Sequence, residues 1–83
     1  MRIAVQGDPV IGKQVIEFLE ELGGYNQYGY TATDRGNYYF ITGSGYISCA
    51  IGVDDLPDGC KPMTLDEARE YMDALDDYIL NMD

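Results

Sequence analysis

The chain has 83 residues, enough for one domain with a single small core and too few for an elaborate active site. Fifteen acids face five bases, with no histidine, for a net charge of −10. That balance argues against direct nucleic-acid binding, which needs clustered Lys and Arg, and against docking on anionic membranes. It suits a basic partner or a cation, and it also serves simply to keep a chain soluble. Zinc-type sites need Cys and His in number, so Cys49 and Cys60 alone support no metal, and no cofactor is expected. No apolar run is long enough to span a membrane, and residues 1–6 are too short for a signal h-region, so the cytoplasm is the expected compartment.

Residues 2–6 alternate, with Ile3 and Val5 on one face and Arg2, Ala4 and Gln6 on the other, which predicts a short strand. Asp8 reads as a helix N-cap with Pro9 at the first helical position. Ile11, Val15, Phe18, Leu19 and Leu22 then form one apolar stripe, and Gly23-Gly24 stops the helix near Leu22. Residues 25–36 read as a loop, with a short irregular strand at Tyr28–Ala32 as a variant.

Residues 37–42 and 46–53 predict a hairpin turning at Gly43-Ser44-Gly45. Tyr39 and Ile41 share a face with Ile47, Cys49, Ile51 and Val53, while Tyr38, Phe40 and Tyr46 lie on the other. Residues 54–63 read as a Pro/Gly/Asp loop. Thr64 and Glu67 form a capping box for a second helix to about Met82. Its seam is Leu65, Ala68, Met72, Leu75, Ile79 and Met82, flanked by Tyr71 and Tyr78.

The sum is an α+β domain over residues 1–83 in the order βαββα. Two helices pack on one face of a mixed sheet of three strands, or of four if Tyr28–Ala32 joins it. A right-handed crossover through the first helix is expected to set the first strand parallel to a hairpin strand.

GDPVIGKQ, residues 7–14, fits G-x-x-x-x-G-K between a strand and a helix, the frame of a phosphate-binding loop that would use Gly7, Gly12 and Lys13. The details oppose it. Gln14 stands where the magnesium-binding hydroxyl belongs, Asp8 adds a negative charge to the cradle, and Pro9 removes an N–H donor. A capped helix start explains the same residues.

Three other patterns carry candidate function. Asp66, Glu70, Asp73 and Asp77 fall at i, i+4, i+7 and i+11, one stripe of the second helix, widened by Glu67 and Asp76. It reads either as a solvated face or as a row of carboxylates imitating phosphates for a basic protein. Six tyrosines, including Tyr38 and Tyr46, lie along the loop and hairpin, either as a contact patch or as cover for the sheet. DDLPDG, residues 54–59, does not meet the EF-hand pattern. With no histidine and no Ser–base or Cys–base pair, no catalytic residue is expected.

The succession GKQVIEFLEELGG, NYYFITGSGYI and KPMTLDEA resembles small uncharacterised acidic proteins carried by bacteriophages and mobile elements of gut bacteria. The resemblance spans most of the chain and implies a phage or prophage setting and a small α+β fold. The expected function is a non-enzymatic acidic interaction protein that binds a basic, nucleic-acid-binding host or phage protein as a DNA mimic or inhibitor. Its binding residues are Asp66, Glu70, Asp73 and Asp77, with Tyr38 and Tyr46 beside them. The alternatives are a nucleotide-binding protein using Gly7–Lys13 and a self-associating structural module.

Overall fold

The structure, a computed structural model, describes residues 2–80 and the side chains of residues 2–75. The elements are β1 (Arg2–Gln6), α1 (Gly12–Glu21), β2 (Asn37–Ile41), β3 (Ile47–Ile51), a 3-10 turn (Val53–Asp55), β4 (Cys60–Met63) and α2 (Leu65–Leu80). They form an α+β fold on a four-stranded mixed sheet in the order β3-β2-β1-β4. Both helices contribute to one core with the same sheet face: Val15 and Leu19 of α1 and Leu65 and Ala68 of α2 meet Ile3, Val5, Tyr39 and Ile47.

Two sequence expectations are corrected. The fourth strand is Cys60–Met63, inside the expected 54–63 loop, and Tyr28–Ala32 is irregular. Pro62 disguised β4, and an edge position is where a strand tolerates proline. The parallel partner of β1 is β4, whereas β1 and the hairpin strand β2 run antiparallel.

The antiparallel pairing follows from a return trip. Ten residues of α1 carry the chain about 15 Å, roughly one strand length, to Tyr25, which bridges Tyr46 beside the start of β3. Residues 26–36 then climb back, so that β2 begins where β1 ended, with the Gly7 N–H donating to the Asn37 carbonyl at 2.9 Å. Asn26 steadies the climb. Its side chain donates to the Tyr30 carbonyl and accepts the Tyr30 N–H, both at 2.9 Å. The Tyr30 ring thereby meets Tyr39 edge-on, with centroids 5.6 Å apart.

The local signals operate as read. Gly23 has φ +101°, its N–H reaches the Glu20 carbonyl and the Gly24 N–H reaches Leu19, which closes α1 as a Schellman motif. Thr64 and Glu67 exchange side-chain and backbone bonds at 3.0 and 3.2 Å. Gly45, at φ +89°, completes the hairpin turn.

The connection from β3 to β4 crosses the second sheet face. Leu56 packs there on Ala4, Phe40 and Ala50, with Tyr38 and Cys60 at the margin. Small alanines let this loop lie close, so the far face is covered without a third layer of helices.

Leu19 is 1% exposed at the centre of the core. Leu19→Ala should lower unfolding free energy by about 2–5 kcal/mol in urea titrations. Val10→Ala, at a position 82% exposed, should leave the midpoint nearly unchanged.

Candidate interaction surface

Asp66, Glu70 and Asp73 are all exposed on α2. The side chains of Asp76, Asp77, Tyr78 and Ile79 lie outside the described residues, as does Met82. Among the described residues the ion pair is Arg35–Asp8, with Nε to Oδ2 at 3.6 Å, so the described stripe carboxylates have no paired cation. Arg69, on the same helix, reaches across to the Gln14 amide oxygen at 3.5 Å. Glu67 is engaged elsewhere: the Thr64 N–H, then the Thr64 hydroxyl, hold its carboxyl below the ordinary range, with Lys61 adding to the effect.

The structure keeps the two candidate tyrosines away from this stripe. Tyr38 is half-buried on the sheet face opposite the helices. Tyr46 sits at the start of edge strand β3, its ring 6.0 Å from that of Tyr25. β4 and the start of α2 lie at the other end of the sheet. Of the other tyrosines, Tyr39 is in the core with Tyr30 packed against it, Tyr28 is exposed with its ring against Tyr30, and Tyr25 is exposed with Tyr46 near β3.

GDPVIGKQ is built for packing against its own chain. A Cβ on Gly7 would strike the Asp34 carbonyl oxygen, and one on Gly12 would strike that of Thr31 and come within 2.7 Å of that of Ala32. The Asp8 N–H donates to Ala32 at 2.9 Å. The space in front of both glycines thus holds carbonyl oxygens, where a phosphate-binding loop would present N–H groups to an anion. Asp8 takes up the free amides: its Oδ1 accepts from Val10 at 2.7 Å and Ile11 at 3.3 Å. Residues 9–11 form a turn, so regular helix starts at Gly12, later than Pro9.

A largely apolar groove of about 300 Å³ lies between the helices, lined by Ile3, Leu19, Leu22, Ile41, Met72 and Leu75 together with Arg2 and Tyr71. Sequence reasoning missed it, because Leu22 and Leu75 read as ordinary members of two core stripes. The 54–59 aspartates do not converge, and among the described residues no three His, Cys, Asp or Glu side chains are grouped to hold a metal ion. Both cysteines are free, and burial pushes the Cys49 thiol up, away from the thiolate form of a nucleophile. Among the described residues no helix is long and apolar enough to cross a membrane.

Comparison of the chain with family models, with curated proteins and with solved structures gives no match.

Two measurements test the reading of GDPVIGKQ. In an open helix Gly→Ala stabilises by about 1 kcal/mol. Gly12→Ala should instead destabilise by roughly 1–3 kcal/mol, because backbone must move to admit the methyl.

Asp8 is held below the ordinary carboxylate range by the Val10 N–H first, against the opposing effect of desolvation, with the Ile11 N–H and Arg35 adding to the lowering. A lowered carboxyl stabilises the fold above its unfolded value and loses that contribution as pH falls through its native value. Asp8→Ala should therefore lower the melting midpoint at pH 7, with the gap to wild type narrowing as pH drops below the ordinary carboxylate range.

Proposed function

We propose that this protein is a non-enzymatic acidic interaction module whose α2 face engages a basic, nucleic-acid-binding protein in the manner of a line of phosphates. The observation that carries this reading is the exposed row Asp66, Glu70 and Asp73, which has no paired cation among the described residues. Like charges one turn apart on a helix repel each other at a cost to the free protein, and a cationic groove would relieve it. Residues 54–83 hold ten acids against Lys61 and Arg69, so most of the net charge of −10 comes from the segment that includes α2. A phage or mobile-element setting, which the sequence pattern implies only by resemblance, would fit the same reading, since such genomes carry acidic proteins that block host factors. Tyr38 and Tyr46 are not part of this surface in the proposal, because they lie on and beside other parts of the sheet.

The test is a tagged pull-down from bacterial lysate with a paired variant, Glu70→Lys with Asp73→Lys. Both positions are exposed and beyond the first turn of α2, so the variant should melt like wild type. Wild type should retain a nucleic-acid-binding protein that is released by raised salt and displaced by added DNA. The variant should bind it at least roughly tenfold more weakly, a loss of about 1.4 kcal/mol or more. Equal capture by both proteins would remove the proposal.

A further inference from the structure

The sheet has two edges, and they are built differently. β4 presents Lys61 and Pro62, a charge and a missing N–H donor, which are both devices that discourage another strand from pairing. β3 has neither. Its sequence, Ile47–Ile51, lies within residues 36–53, a stretch with no charged residue in a chain of net charge −10.

The ladder register fixes which groups face outward. The Thr42 N–H donates to Tyr46 at 2.8 Å and the Gly52 N–H to Gly36 at 3.0 Å, so the even-numbered residues of β3 bond inward to β2. In an antiparallel pair the alternate residues then turn their N–H and C=O groups the other way. Of these, the Ile47 N–H is already taken, since it meets the Tyr25 carbonyl at 2.9 Å. Cys49 and Ile51 have no backbone partner among the described residues on that side. Ile51 is also 76% exposed, a large apolar side chain at the open edge.

We infer that β3 pairs antiparallel with β3 of a second copy, extending the sheet across a two-fold axis at Ala50. The edge is self-complementary in that register. Cys49 of each copy faces Ile51 of the other as a hydrogen-bonded pair, and the two Ala50 residues form the closer, non-hydrogen-bonded pair, where a small side chain fits. Charge selects a second copy over an unrelated strand. Two chains of −10 approach most readily where the facing strands carry no charge, and in this register the nearest acids, Asp54 and Asp55 in the 3-10 turn after β3, fall opposite Tyr46 and Gly45 of the other copy and not opposite each other. This surface is separate from the α2 stripe, and either can fail without the other.

Sedimentation velocity over a range of concentrations, in reductant, tests the inference on the full chain. Wild type should shift from monomer to dimer with concentration. Raising salt should tighten the dimer by screening like charge, whereas a complex of α2 with a basic partner loosens. Ile51→Lys should weaken association at least roughly tenfold, by placing a charge opposite the partner strand. Val10→Lys, at an equally exposed site away from β3, should leave it unchanged. Hydrogen exchange on wild type gives a second readout: the Cys49 and Ile51 amides should gain protection as concentration rises. A monomer at every concentration, a dimer that survives Ile51→Lys, or exchange at these two amides that ignores concentration would each overturn the inference.

Discussion

The fold turns on one crossing of the chain with itself. The backbone of Thr31–Asp34 passes over Gly7 at the end of β1 and Gly12 at the start of α1, close enough that neither position admits a Cβ. That contact fixes where the 26–36 segment returns, and hence that β2 starts beside the end of β1 and runs antiparallel to it. Ala32 is held at φ +55° and fully buried at this point. Left-handed backbone at a residue with a Cβ costs roughly 1–2 kcal/mol, which the surrounding bonds must offset. They include Asp8 N–H to Ala32, the Gln6 side-chain amide to the Arg35 carbonyl at 3.0 Å, and the Asp8–Arg35 pair.

The same crossing gives Asp8 two structural tasks. One carboxylate oxygen closes the turn into α1 and the other faces Arg35 on the returning loop. A motif that matches a phosphate cradle by spacing is thereby filled from within, with a carboxylate on the amides and carbonyls over the glycines. Spacing alone does not separate the two cases, because both need glycine where backbone or ligand comes close.

Charge is segregated along the chain and across the sheet. The hairpin of β2 and β3 is neutral, and the acidic segment begins after it at Asp54. The sheet order then carries that segment over to β4, at the opposite edge, from which α2 starts. Strand β3 itself is thus uncharged, with Asp54 and Asp55 just beyond its end, and most of the acidic segment lies toward β4 and α2.

Much of this was legible in the residues themselves. The alternation of Ile3 and Val5, the stripe from Ile11 to Leu19 (Leu22, its expected last member, is exposed), the glycine stop, the hairpin with its Tyr39/Phe40 division of faces, and the Thr64–Glu67 box are local signals whose physics acts within a few residues. Among the described residues the α2 acids Asp66, Glu67, Glu70 and Asp73 are exposed, as their helical spacing implied. What the tertiary structure decided depends on chain passing chain. β4 hides behind Pro62 and exists only because β1 offers it an edge to pair with. The direction of β2 depends on a loop crossing two glycines, and the separation of Tyr38 and Tyr46 from the acids depends on strand order. Periodicity reports which side of an element is apolar, and only the pairing of distant segments decides which element that side will meet.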